Sequence, residues 1–263
     1  MIAYRLLRII AHLFAGLATC TFVFPFTDAA GRHSRIRDWS MKVLAICRVT
    51  VEIQNPLHLD APSRALIIAN HVSWLDIFVI NSIEPCRFVA KSDIRDWPLI
   101  GWLCVQADTI FIARGKQRDV RRIFQGLVSS IHAGERVAFF PEGTTAAQGA
   151  ILPFHANLFE AAVDAQVPIQ PYALRYVDAN GSLHSAADFI GEMTFAQSMI
   201  AIMKAPPMKA ELMQLASIAT LEMHRRDLAI IAHAAIAEAL GQGRSGERAA
   251  ILQPLPDKSV HSA

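Results

Sequence analysis

Seven short apolar runs separated by helical or turn-rich stretches confine the chain after Val49 to an α/β fold. The strand-like runs fall at 50–54, 65–69, 87–90, 109–112, 137–140, 168–176 and 208–216. Helical spacing falls at 73–82, 98–106, 117–132, 154–165, 196–203 and 221–240. Such alternation predicts a mostly parallel central sheet flanked by helices, with functional loops at the carboxyl ends of the strands. The expected organisation is an N-terminal helical segment over 1–48, a main domain over 49–241 and a loose Gly-, Ser- and Pro-containing tail over 242–263.

Ahead of this body lies a second constraint. Residues 9–26, IIAHLFAGLATCTFVFPF, carry no charge over 18 residues, the short end of what crosses a bilayer. Arg5 and Arg8 precede the run, as in a signal peptide, but Thr27-Asp28-Ala29-Ala30 is no clean cleavage site. A single span meets basic residues on both sides, so the positive-inside rule selects no orientation. The third reading uses that symmetry: the segment dips into one leaflet and returns as an amphipathic helix over 35–49, with Ile36, Trp39, Val43, Leu44 and Ile46 as its apolar residues. The expectation is this membrane-associating hairpin.

Charge supports a membrane rather than a nucleic acid as partner. Residues 1–42 hold six Lys or Arg against two acids, a balance of +4 in a chain whose net charge is only +2. A nucleic-acid binder would carry its excess on the folded domain. With 53% hydrophobic residues the chain is too apolar for disorder. Cys20, Cys47, Cys86 and Cys104 lie far apart with no C-x-x-C pair, which reads as buried thiols in a reducing compartment. No metal-ligand spacing is evident among the ten histidines.

Four clusters carry candidate chemistry. Asn70-His71-Val72-Ser73-Trp74-Leu75-Asp76 follows the buried run ALIIA and opens a helix. A carboxylate one turn into that helix would hold His71 at Nδ1 and leave Nε2 for a substrate, a general base without a side-chain nucleophile. Ser73-x-x-Asp76 is also a capping-box pattern, so Asp76 could equally serve the helix start. His33 and Asp38 repeat the spacing in the basic N-terminal region without a preceding strand, and that pair reads as accidental. Phe139-Phe140-Pro141-Glu142-Gly143-Thr144-Thr145 ends another strand run and reads by itself as a turn. Phe111-Ile112-Ala113-Arg114 sets a guanidinium at a strand end, suited to an anion, with Lys116, Arg118, Arg121 and Arg122 beyond it. Val167-Pro168-Ile169-Gln170-Pro171 has the prolines of an edge strand.

The order and spacing of these blocks resemble the glycerolipid acyltransferase family typified by 1-acylglycerol-3-phosphate acyltransferase, with N-H-x-x-x-x-D, F-I-x-R, F-P-E-G-T and V-P-[IV]-x-P. Between the first two, Lys91, Ile94, Pro98 and Gly101 match the family's K-x-x-[LI]-x-x-x-P-x-x-G. The resemblance covers residues 50–180. It implies that His71 removes a proton from a lysolipid hydroxyl, that Asp76 orients the imidazole, and that Lys91, Arg114, Glu142, Gly143 and Thr144 bind the acceptor. It further implies no cofactor beyond acyl-CoA or acyl carrier protein as co-substrate, no metal, and a site facing the cytoplasm at the inner membrane. The implied acceptor is 1-acylglycerol-3-phosphate. A lipid-ester hydrolase would need a G-x-S-x-G elbow, which the sequence lacks, and a non-catalytic scaffold of the same fold stays open.

Two departures bear on the acceptor. The family continues E-G-T with Arg and Ser, whereas here Thr145 and Ala146 follow. A hydroxyl does not replace a bidentate guanidinium contact to phosphate. The family's F-K-x-G is Phe154-His155-Ala156-Asn157, where an imidazole stands for a fixed cation. A lysolipid without a terminal phosphate, such as a lyso-ornithine lipid, is the alternative acceptor.

Overall fold

Strand β2 (Leu66–Ala69) is buried along its whole length and sends successive side chains to opposite faces. Ile67 and Ala69 enter one apolar cluster, Leu66 and Ile68 the other. A strand covered on both faces is the reason the sequence runs LIIA without polar alternation. Leu66, Ile67 and Ile68 each contribute about 1.5–3 kcal/mol by leaving water. The structure is a computed structural model that describes residues 2–54, 64–112 and 117–241, the stretch 117–123 as backbone only.

The remaining strands are β1 (Val49–Gln54), β3 (Arg87–Lys91), β4 (Ile110–Ile112), β5 (Val137–Phe139), β6 (Ile169–Val177) and β7 (Met208–Gln214). They form one seven-stranded sheet in the order β1-β7-β6-β2-β5-β3-β4. β2 is parallel to both β5 and β6, β3 is parallel to β4 and β5, and the direction reverses at the antiparallel β6–β7 pair. The sheet is therefore mostly parallel, with the carboxyl ends of β2, β5 and β6 gathered at one rim.

Helices α1 (Ile2–Phe22), α2 (Ala29–Cys47), α3 (Asp76–Ile83) and α7 (Phe195–Lys204) cover one face. Helices α5 (Gln117–His132), α6 (Glu160–Asp164) and α8 (Arg225–Ala239) cover the other, where Leu127, Ile131, Ala161, Leu228 and Ile236 are buried. The short α4 (Ile100–Gln106) lies beyond β3. Its Gly101 is sterically required, since a Cβ there would stand 2.1 Å from the Arg95 carbonyl oxygen.

Three differences from the sequence expectations have local causes. The second helix begins at Ala29, not at 35, because the Asp28 carboxylate accepts the Gly31 amide at 2.9 Å. It ends at Cys47 because Arg48 takes a left-handed φ of 60°. The edge-strand reading of Val167–Pro171 is overturned: β6 lies inside the sheet between β7 and β2. Pro171 is tolerated because the β7 ladder begins only at Tyr172, so its missing N–H falls outside that ladder. The stretch 154–165 divides into a 3₁₀ turn, Ala156–Phe159, and α6.

The helices α1 and α2 form a hairpin around a 3₁₀ turn, Phe24–Phe26. Gly16 allows the close approach: Trp39 Nε1 lies 2.8 Å from where its Cβ would stand. Trp39 Nε1 donates to the His12 carbonyl and His12 Nε2 meets the Trp39 carbonyl at 3.0 Å, with the rings stacked. Helix α1 is long and apolar enough to cross a membrane, and it leaves Leu7, Ile10, Phe14 and Phe22 exposed. The tail 242–263 lies outside the described residues.

Candidate active site

His71 leaves the carboxyl end of β2 and Asp76 opens α3. Their side chains meet at Nδ1···Oδ2, 2.8 Å. Asp76 is fully buried, and its second role is to fold the intervening loop: Oδ2 also accepts the Val72 amide at 2.7 Å and the Ser73 amide at 2.9 Å. Its Oδ1 accepts the Tyr176 hydroxyl at 2.7 Å. Only half of a capping box forms: Asp76 takes the Ser73 amide, while Ser73 Oγ is buried without a partner. Backbone amides and a phenol donating to one carboxylate require that carboxylate to be an acceptor. His71 Nδ1 therefore donates to Asp76, which leaves Nε2 on the far side of the ring.

The neighbouring strand β5 supplies the floor. Phe140 stacks on the His71 ring with centroids 3.9 Å apart and planes 6° from parallel. Glu142 is 3% exposed, and both its oxygens are occupied, Oε1 by the His71 amide at 2.7 Å and Oε2 by the Leu152 amide at 2.8 Å. Burial pushes its pKa above the ordinary carboxylate value, against these hydrogen bonds. The carboxylate thus ties the strand-end loop carrying His71 to the 150s loop. Gly143 follows with φ of +68°, and His155 Cδ2 stands 3.2 Å from where its Cβ would be. Gly143, Thr144 and His155 are exposed beside it. The Thr145 hydroxyl donates to the Phe189 carbonyl, and the Ala146 amide donates to the His71 carbonyl at 2.8 Å.

Burial differs sharply across the dyad: the His71 side chain is 18% exposed and that of Asp76 0%. The imidazole edge is open while its partner is sealed. Lys91 is exposed at the carboxyl end of β3, in register with Ile112 of β4. Arg114 and Lys116 lie outside the described residues, as do the side chains of Arg118, Arg121 and Arg122. His33 and Asp38, the second pair at this spacing, are both exposed within α2.

Sequence reasoning missed Tyr176. It lies 100 residues from Asp76 and reaches it only because β6 pairs with β2. The available signal was a phenol in a strand buried along nearly its whole length, which needs a hydrogen-bond partner. Burial and the Asp76 charge push the Tyr176 hydroxyl well above its ordinary pKa, so it remains a donor.

The pairing of His71 at a parallel-strand end with Asp76 at the next helix start is the arrangement the block resemblance implied for a glycerolipid acyltransferase. Residues 49–175 match the Acyltransferase family. The chain is 32% identical over 241 residues to a lyso-ornithine lipid O-acyltransferase of Pseudomonas aeruginosa, covering 90% of this chain and 91% of that protein. The chain belongs to this acyltransferase family. It is also 37% identical over 150 residues to a 1-acyl-sn-glycerol-3-phosphate acyltransferase of Neisseria meningitidis, and this match spans 57% of the chain and 58% of that relative, little more than half its length. In fold it resembles the crystal structure of the 1-acyl-sn-glycerophosphate (LPA) acyltransferase PlsC from Thermotoga maritima, with a TM-score of 0.64 at 17% identity over 93% of this chain and 98% of that one.

Proposed function

We propose that the chain is a membrane-associated O-acyltransferase that moves a fatty acyl group from an acyl thioester to the free hydroxyl of a lysolipid. The observation that carries this reading is the His71–Asp76 pair, sealed at its carboxylate and with a partly exposed imidazole held through Nδ1. Nε2 takes the hydroxyl proton as the oxygen attacks the thioester carbonyl. The tetrahedral intermediate collapses with loss of the thiolate of coenzyme A or of the carrier protein, and the imidazolium returns the proton to sulfur. Asp76 keeps the imidazole in the required tautomer and balances the charge it acquires. General-base assistance supplies roughly 10²–10⁴ in rate, and positioning supplies more.

Asp76 therefore acts on His71 from within, and Glu142 and Tyr176 act as positioning residues, one fixing the His71 backbone and the other the Asp76 carboxylate. Lys91, Gly143 and Thr144, all exposed, and Arg114 are the acceptor-binding candidates. The hairpin of α1 and α2 lies on the inner face of a cytoplasmic membrane, with the acceptor entering from the lipid.

Two acceptors compete. The block order favours 1-acylglycerol-3-phosphate. Thr145 favours a lyso-ornithine lipid instead, since it replaces a guanidinium and its hydroxyl is spent on the Phe189 carbonyl. Similarity along nearly the whole chain to a lyso-ornithine lipid O-acyltransferase supports the same choice. The test is purified full-length protein in mixed micelles with labelled acyl-CoA or acyl carrier protein, offered lyso-ornithine lipid or lysophosphatidate. Product from lyso-ornithine lipid is expected to dominate. Product from lysophosphatidate alone would return the assignment to that acceptor, and no product from any lysolipid would remove the activity.

A further inference from the structure

Away from the His71 rim, a cavity lined by cationic side chains opens where the start of α1 meets the end of α2. A cavity of about 450 Å³ is lined by Tyr4, Arg5, Arg8, Ala45, Ile46 and Arg48. Half of these lining residues are arginines, and none is an acid. Arg5 is fixed from one side: its Nε donates to the Ile46 carbonyl at 3.1 Å and its Nη1 to the Met203 carbonyl. Its Nη2 is buried and has no partner. Arg8 lies over the Tyr4 ring, 5.8 Å from the centroid, and Arg48 occupies the left-handed turn that ends α2.

A buried guanidinium nitrogen without an acceptor is costly, and like charges gathered around it add repulsion. Burial pushes Arg5 below its ordinary pKa, and the charges of Arg48 and Arg8 act in the same direction. An oxyanion in the cavity relieves that repulsion, and guanidinium forks match phosphate oxygens in a bidentate manner. The cavity also sits at the basic end of α1, whose exposed Leu7, Ile10 and Phe14 give that helix an apolar surface. A group held there would lie at headgroup level if that surface enters a leaflet.

We propose that Arg5, Arg8 and Arg48 form an anion site for a phosphate group, separate from the acyl-transfer site and independent of the reading of that site. The phosphate could come from an anionic lipid headgroup or from solution, and two assay arms separate these sources. The full chain is compared with the double variant Arg8→Gln/Arg48→Asn, in which asparagine accepts the left-handed turn. The charge-matched control is Arg35→Gln/Arg37→Gln, exposed on α2.

In the first arm, binding to phosphatidylcholine vesicles containing phosphatidylglycerol is measured by flotation. Charge alone predicts roughly 5-fold weaker partition per cation removed, equally for both variants. A site predicts at least about 10-fold further loss for the Arg8/Arg48 variant, because bidentate contacts are lost as well. In the second arm, inorganic phosphate replaces chloride at equal ionic strength, and a rise in Tm is sought in the wild type that the Arg8/Arg48 variant lacks. Excess loss on vesicles without a phosphate-dependent Tm assigns the site to headgroups. A phosphate-dependent Tm with equal vesicle losses assigns it to free phosphate, and a positive result in both arms assigns it to either source. Equal losses in the first arm together with no phosphate effect in the second overturn the proposal.

Discussion

Removing the Tyr176 hydroxyl tests whether the dyad depends on support from the far side of the sheet. Tyr176→Phe deletes one donor to Asp76 Oδ1 and opens no appreciable cavity, since both side chains are fully buried. Asp76 then keeps the His71 Nδ1 and the two loop amides of Val72 and Ser73. A hydrogen bond to a buried charged group is worth about 1.5–3 kcal/mol. At about 2–4 °C per kcal/mol for a chain of this size, Tm should fall by roughly 3–12 °C. The freed carboxylate oxygen also lets Asp76, and with it the imidazole, shift. Displacements on the order of 1 Å cost about 100-fold in rate, so a partial shift should lower kcat roughly 10-fold. KM should change little, because the phenol is sealed from substrate. The assay is steady-state acyl transfer in mixed micelles, with thermal denaturation alongside. A variant with lowered Tm and unchanged kcat would show that the hydroxyl supports the core and does nothing for the base.

Glu142→Gln probes the tie beneath His71. Burial raises the Glu142 pKa in the fold above its ordinary value of 4.5, so its titration contributes stability fully below that value and loses it as pH rises through the folded value. Glutamine does not titrate, so the stability of wild type minus that of the variant should decrease between mildly acidic and neutral pH; denaturant unfolding at stepped pH reads it, and a difference that grows would contradict the burial reading. At neutral pH the variant should also lose activity by about 10-fold or more, because an amide nitrogen now faces one of the backbone N–H groups of His71 and Leu152. Gly16→Val should separate α1 from α2, since the Cβ position already meets Trp39 Nε1 at 2.8 Å. Limited proteolysis across the Phe24–Phe26 turn should then accelerate, and unchanged cleavage would mean the hairpin does not rely on that contact.

The strands were legible because each is a short apolar run with turn residues beyond it, and all seven lie within a few residues of their expected positions. His71 and Asp76 were legible for a related reason: one leaves a strand and the other opens a helix, so five residues suffice to describe their geometry. Tyr176 and Phe140 were not assigned roles, because their contacts with the dyad arise from the β6-β2-β5 pairing and leave no short-range pattern. Glu142 was legible as a polar group at a strand end, but its bonds to the His71 and Leu152 amides were not, because they join loops 71 and 10 residues away in sequence. The early start of α2 is readable in Asp28, a residue type that caps helices. The arginine cavity was visible only as net charge, since Arg5 and Arg48 come together through the hairpin.

The central claim is that His71 Nε2 removes the acceptor proton. His71→Ala leaves the Glu142 and Ala146 contacts in place, because these use the backbone of residue 71. Acyl transfer to the best acceptor should fall by about 10²–10⁴-fold, while Tm falls by roughly 3–12 °C as for Tyr176→Phe, because Asp76 again loses one donor. A variant that folds normally and keeps its rate within a few-fold of wild type would contradict the account.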